Sequence, residues 1–184
     1  MSDQSKILVR PAQSGDAPHL CELLNQLIRR GGTTAHQKEL SLEEFSQKFL
    51  ESPTLLSCHV ACLEDGSRLG FQHLQINPKL PEDWGDIATF AKLDSPVRGV
   101  GTALFPYTLE AAKAHKRAAI NATIRADNAS GLGYYSKMGF ADYAIAEAVP
   151  LTDGTPSRNL WEKVLCRGIE WLPSQSRKVQ FCIG

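Results

Sequence analysis

One junction in the chain restricts its fold more than any other. "DIATFAKL", from Asp86 to Leu93, reads as a strand, and "DSPVRGVG" then carries Gly99 and Gly101 up to an alanine-rich helical pattern running from Thr102 to about His115. "RAAINATIRA", from Arg117 to Ala126, reads as the next strand. A strand, a helix and a strand in immediate succession form a crossover whose two strands lie parallel and whose hand is right. An α/β protein with at least one parallel pair is expected.

The flanking segments fill in the rest. "KILVRPA" (Lys6 to Ala12) is a short first strand, ended by Pro11, which has no N–H to give to a ladder. "SGDAPHLCELLNQLIRR" is a helix with Ser14 or Asp16 as its cap, Leu20, Leu23, Leu24, Leu27 and Ile28 at helical spacing, and Gly31 and Gly32 as its stop. "SLEEFSQKFLES" is a second helix, with Ser41 and Glu44 spaced as a capping box and Pro53 closing it. Asp65-Gly66 between two apolar runs predicts a hairpin. Asn128 to Met138 reads as a short helix, and "GFADYAIAEAV" and "SRNLWEKVLC" as a closing pair of strands.

Composition narrows the function classes. The 184 residues fit one domain, expected over residues 1–165, with residues 166–184 as a C-terminal extension of unassigned structure. Lys plus Arg and Asp plus Glu both number 20, so charge gives no reason to expect nucleic acid or an anionic membrane as partner. The five cysteines, Cys21, Cys58, Cys62, Cys166 and Cys182, are odd in number and contain no C-x-x-C. Reduced thiols, with no disulfide framework and no metal, follow as the expectation. "MSDQSK" has no apolar signal core, and no run approaches ~20 apolar residues; a cytoplasmic protein is expected.

The glycine turn carries the first hint of chemistry. A helix start offers unpaired N–H groups and the positive end of the dipole, and glycine lets backbone come close to a ligand. Together these suit a phosphate. Arg98, Gly99, Val100, Gly101 and Thr102 would present successive amides, and Arg98 and Thr102 add side-chain donors. No Gly-Lys-Ser/Thr follows, and Leu104 stands where a dinucleotide fingerprint has Gly or Ala, so neither of those loops is present. A plain tight turn remains the alternative.

A second segment, "NASGLGYYSKMGF", follows at Asn128 to Phe140. With "RGVGTALF" it resembles the GCN5-related N-acetyltransferase (GNAT) family, whose pyrophosphate loop commonly reads Arg/Gln-x-x-Gly-x-Gly/Ala before a helix. Gly99 and Gly101 match the two small positions; Asn128, Ala129, Tyr135, Gly139 and Phe140 match the second signature. Pro96 stands where Arg or Gln is usual, with Arg98 two residues on. The resemblance is specific over Asp86 to Phe140. It implies a single-domain acyl-CoA N-acyltransferase fold, with a mixed central sheet of about six to seven strands and helices on both faces. It also implies acetyl-CoA as cosubstrate. Ala91, Lys92 and Leu93 would hold the pantetheine arm, Arg98 to Ala103 the diphosphate, and Asn128 and Tyr135 further contacts; capping of its own helix is the other reading of Asn128.

Acyl transfer needs a neutral amine, a donor for the developing oxyanion and a proton for the leaving thiolate. The family pattern gives the oxyanion donor to a backbone N–H, here that of Ala91, and the general acid to Tyr135, four residues before Gly139. Tyr135 shares a helical face with Leu132 and Met138, so a core aromatic is its alternative; Tyr134 is the weaker candidate acid. Glu82, Asp83, Asp86, His73 or water stand as candidate bases, and Trp84 as a lining of the acceptor pocket. Arg29 and Arg30 border the acceptor loop, as carboxylate attractors or simply as basic residues at a helix end. The expected function is transfer of acetyl to a primary amine of a small molecule by direct attack in a ternary complex. Acetylation of a protein N-terminus or lysine, or a non-catalytic acyl-CoA sensor, are the alternatives. Dimers are frequent in the family, which leaves a homodimer and a role for the C-terminal tail open.

Overall fold

The computed structural model describes residues 6–146 and 160–166, with Ala146 and the last strand described by backbone alone. Seven strands, β1 (Leu8–Pro11), β2 (Leu55–Cys62), β3 (Arg68–Gln75), β4 (Trp84–Ala91), β5 (Ala119–Arg125), β6 (Ala141–Ala146) and β7 (Leu160–Cys166), form one sheet in the order β1-β2-β3-β4-β5-β7-β6. All neighbours are antiparallel except β4 and β5, the parallel pair that the crossover demands. The two closing strands do not simply append: β7 inserts between β5 and β6. The segment between them and the expected extension at 166–184 lie outside the described residues, apart from the strand end at Cys166.

Helices α1 (Ala17–Arg30) and α2 (Leu42–Phe49) cover one face and α3 (Val100–Ala114) and α4 (Ala129–Lys137) the other. Strand alternation divides the side chains between them. Phe90 and Ala88 of β4 pack with Leu20, Leu24, Phe45 and Phe49, while Ile87, Ile120, Ala122 and Ile124 pack with Phe105, Tyr135 and Phe140. The interior strand β3 is buried along six successive residues, as a strand covered on both sides must be.

Several boundaries move from expectation. β4 begins two residues earlier, at Trp84, and α3 at Val100, so Gly101 is already in the helix and Gly99 stands at its N-cap. The Ser41–Glu44 capping box and the Asp65-Gly66 hairpin form as expected. Neither Ser14 nor Asp16 caps α1 with its side chain, since a short 3-10 turn, Ser14–Asp16, precedes it. Asp16 instead lies 1 % exposed and accepts from Arg10 (2.7 and 2.8 Å), Arg68 (3.1 Å) and the Gln13 N–H (2.9 Å). A carboxylate with that many donors is worth more to the fold inside than at a helix end. Cys21, Cys58 and Cys62 are buried free thiols.

Candidate active site

The parallel pair holds together for three residues only: Trp84, Gly85 and Asp86 of β4 lie opposite Ala119, Ile120 and Asn121 of β5. Beyond Asp86 each strand keeps its outer partner, β4 pairing with β3 as far as Ala91 and β5 with β7 as far as Arg125. The inner edges therefore part along five residues of β4, about 16 Å of strand. A cavity of about 1140 Å³ occupies this gap, lined by Ile87 to Thr102, Thr123 to Arg125 and residues of α4, with Thr33 to His36 at its rim.

The direction of the β4 amides follows from the ladder. The Lys92 N–H donates to Leu69 O (2.7 Å) on the β3 side, and Asp83 O accepts from Ala118 N–H (2.7 Å) on the β5 side. Alternation then turns the N–H groups of Ile87, Thr89 and Ala91 toward the gap. This is an open sheet edge facing inward, able to pair with a ligand that carries its own amides.

At the mouth of the gap stands the start of α3. Its first backbone bond runs from Ala103 N–H to Gly99 O (2.9 Å), and no side chain caps it. The N–H groups of Val100, Gly101 and Thr102 thus precede the helical ladder. Gly99 sits at φ +82°, a conformation that favours glycine, and a Cβ there would meet nothing within 4 Å. Gly101 has a different reason to lack a side chain: a Cβ would lie 2.8 Å from Tyr134 Cε2. The sequence suggested room for a ligand at both glycines; at Gly101 the room is taken by Tyr134. Arg98 and Lys92 are exposed on the cavity wall.

Two tyrosines of α4 reach the gap from the α3 side. Tyr135 is buried, and its Oη lies 2.9 Å from Thr89 Oγ1. Tyr134 is half-buried; its Oη donates to Gly101 O (2.9 Å) and accepts from Gln72 Nε2 (3.1 Å). Burial pushes the Tyr135 phenol above its ordinary range, with Thr89 drawing it partly back. Tyr135 therefore holds its proton at neutral pH. It is also the core aromatic that the helical spacing allowed, packing edge-on to Phe140 at 5.1 Å while it lines the cavity.

The other candidates separate clearly. Asn128 caps α4 by accepting from Gly131 N–H (2.9 Å) and donates to Thr33 O (3.0 Å), so both ends of its amide are engaged with protein. That also explains Gly131, where a Cβ would lie 2.5 Å from Asn128 Nδ2, whereas Gly133 borders open space on the cavity wall. His73 is not placed to act as a base. Because β3 is buried on both faces, its ring lies in the α1–α2 core against Phe49 (4.9 Å) and Phe90, with desolvation lowering its pKa to about 3. Glu82 and Asp83 are exposed in the loop before the gap. Asp86 is the one carboxylate of the three within the sheet. It accepts from Asn121 Nδ2 (2.8 Å) and Asn77 Nδ2 (2.9 Å) where the strands part. By alternation it faces the α1–α2 side, opposite to Thr89 and Tyr135. Trp84 packs edge-on to Tyr143 at 5.7 Å, and Tyr143 Oη donates to Asn121 Oδ1 (2.6 Å).

The rim loop between α1 and α2 is tied down across the gap. Arg125 donates to Thr34 O (3.4 Å) while held by Asp127, and Asn128 reaches Thr33 O. Of the two arginines before it, Arg29 is paired with Glu22 and Glu39 (2.6 Å each), and Arg30 with Asp94 (3.2 Å). Sequence reasoning missed Thr89, Gln72 and Asn121: their signal is positional, visible only once the register puts them beside the gap.

Comparison with known proteins agrees with this architecture. The family model described as "Acetyltransferase (GNAT) family" matches residues 21–140, and the chain belongs to that family. Among solved structures it is similar to a GCN5-related N-acetyltransferase from Kribbella flavida, at 20% identity over 87% of this chain and 97% of that one, with a TM-score of 0.75. It is similar to a ribosomal-protein-alanine N-acetyltransferase from Brucella melitensis, at 21% identity over 86% and 99%, with a TM-score of 0.76. A third likeness is to a phosphinothricin acetyltransferase from Sinorhizobium meliloti in complex with acetyl-CoA, at 16% identity over 87% and 88%, with a TM-score of 0.75. No curated protein matches the chain. Among the described residues no helix is long and apolar enough to cross a membrane.

Proposed function

We propose that the protein transfers an acetyl group from acetyl-CoA to the primary amine of a small molecule, by direct attack within a ternary complex. The observation that carries this reading is the parted β4–β5 edge, with inward amides on one wall and the Tyr135 hydroxyl on the other. Acetyl-CoA supplies the activated acyl group; the chain supplies its grip, its aim and the protons. Val100, Gly101 and Thr102 amides, with Arg98, would hold the diphosphate, as the open face at Gly99 permits. The β4 edge from Ala91 to Leu93 would pair with the pantetheine amides.

The oxyanion and the departing sulfur share one carbon, so their donors must converge. The Thr89 hydroxyl lies 2.9 Å from Tyr135 Oη and the Thr89 amide bonds the same phenol, whereas Ala91 lies two residues further toward the turn, about 7 Å along the strand. We therefore assign the oxyanion to the Thr89 N–H, which bonds Tyr135 Oη in the resting site and would turn to the oxyanion in the complex, and leave Ala91 to the pantetheine arm. Tyr135 gives its proton to sulfur. Asp86, on the opposite face at the foot of the gap, is fixed by Asn121 and Asn77 where an incoming amine would arrive and shed its proton to water. The tied rim loop favours a small acceptor, because a peptide would need that strap to open.

Thiol release from acetyl-CoA, measured with free amino acids, polyamines, alkylamines and an alanine-initiated peptide, tests the reading. Fast release with a small amine and none with the peptide is expected. Release with the peptide alone would move the assignment to a protein acceptor, and saturable binding with no release on any amine would make the protein a sensor.

A further inference from the structure

Four polar groups between β3, β4 and α4 form a chain of hydrogen bonds whose direction is set from Gln72 to Thr89 and Tyr134. Gln72, fully buried on β3, donates from Nε2 to Thr89 Oγ1 (2.7 Å) and to Tyr134 Oη (3.1 Å). Tyr134 Oη donates in turn to Gly101 O (2.9 Å), and Thr89 Oγ1 lies 2.9 Å from Tyr135 Oη.

The amide could in principle be turned over, since oxygen and nitrogen have the same shape. Turning it would pair Gln72 Oε1, which is buried without a partner. It would also set that oxygen against Tyr134 Oη. A phenol has one hydrogen, and Gly101 O, an acceptor only, already takes it. Only the N–H end of Gln72 satisfies both contacts of Tyr134. Thr89 Oγ1 is then an acceptor from Gln72, and its own hydrogen has Tyr135 Oη within reach.

We propose that Gln72 and Thr89 are positioning residues that fix the direction of the Tyr135 hydroxyl. The Gln72 amide leaves Thr89 Oγ1 with its one hydrogen free of Gln72; given to Tyr135 Oη, that hydrogen keeps the phenol hydrogen off Thr89 and turned to the cavity. If the amide presented its oxygen, Thr89 would donate to Gln72, and Tyr135 would donate to Thr89 and be withheld from the substrate. This inference rests on the reading of Tyr135 as the general acid. In the transfer step the Tyr135 O–H bond breaks and an S–H bond forms on the leaving thiolate. The phenolate left behind accepts from Thr89 Oγ1–H. The attacking amine releases one proton to water, and the phenolate recovers one from water after the products leave, so the count closes. Burial disfavours that phenolate, and hydrogen bonds from Thr89 oppose the effect. The same chain ends on Gly101 at the diphosphate turn, so the acid and the cradle share one scaffold.

Thr89→Val removes the hydroxyl, keeps the shape and leaves the backbone N–H in place. With acetyl-CoA and the fastest amine of the panel, kcat should fall about 10-fold or more, the worth of a hydrogen bond to a charged group, with KM for acetyl-CoA within about twofold. Thr89→Ser should restore kcat, and Gln72→Met should fall in the same direction as Thr89→Val. In a Tyr135→Phe background Thr89→Val should add no further loss. Wild-type kcat in Thr89→Val beside a slow Tyr135→Phe would overturn the positioning role alone, as would an equal loss from Thr89→Val in both backgrounds. Wild-type kcat in Tyr135→Phe would overturn the acid reading itself.

Discussion

The two glycines of the α3 turn are predicted to fail in different ways when given a methyl group. In Gly101→Ala the new Cβ would stand 2.8 Å from Tyr134 Cε2 and 2.9 Å from Cζ. Tyr134 cannot swing aside without breaking its bonds to Gly101 O and Gln72. Overpacking of this kind costs about 1–3 kcal/mol, and a lost hydrogen bond about 1 more. Replacing glycine by alanine in a helix returns about 1 kcal/mol. The net is a loss of about 1–3 kcal/mol, a melting point lower by about 3–10 °C in a chain of this size. In Gly99→Ala the Cβ meets nothing, and the left-handed backbone costs about 1–2 kcal/mol. There the methyl group would stand on the open side of the amide cradle, and losing one charge-assisted amide contact weakens acetyl-CoA binding about 10-fold or more. Calorimetric titration with acetyl-CoA and thermal melts, run on both variants, separate the effects. Wild-type affinity in a folded Gly99→Ala would refute the cradle, and wild-type stability in Gly101→Ala would refute the packing argument.

Other predictions concern protons and charge. Tyr135→Phe should lower kcat about 100-fold or more while leaving the dissociation constant for coenzyme A near that of the wild type, because general acids contribute at least that much; stopped assays of thiol release beside calorimetry check both. Arg10 and the other donors around Asp16 hold its carboxyl far below the usual carboxylate range. Its stabilisation is therefore present above the unfolded pKa of ~3.9 and lost as the pH falls below it. The melting-point gap between wild type and Asp16→Asn should be wide at pH 7 and close progressively below about pH 4. His73, lowered to about 3, and His36, lowered to about 4 by burial, both favour the neutral ring in the fold. Stability from these rings is present above the unfolded pKa of ~6.5 and falls as the pH drops toward 4. His73→Phe should flatten that acid slope in thermal melts and leave kcat unchanged; a large loss of kcat would restore His73 as a base.

The crossover, the hairpin and the capping box of α2 were legible because each is set by neighbours in sequence: glycine at a turn, apolar periodicity, Ser41 three residues from Glu44. The insertion of β7 between β5 and β6 was not, since strand order depends on pairings between distant segments. The same distinction holds at the site. Gly99, Gly101 and Tyr135 belong to local motifs, and the cavity brings them together. Gln72 and Thr89 carry no motif: they meet Tyr134 and Tyr135 only through the β3–β4 register. Asn128 and Asp16 show the converse, residues with a plausible local role whose amide or carboxylate answers to partners from another segment.

The central claim is that the parted β4–β5 edge and the α3 turn hold acetyl-CoA with its sulfur at Tyr135. A crystal structure of the complex tests it most directly. The account predicts diphosphate oxygens about 2.7–3.2 Å from the amides of Val100 to Thr102, the pantetheine lying along the inner edge of β4, and the sulfur beside Tyr135 Oη. A nucleotide bound elsewhere, or a thioester turned away from α4, would contradict it.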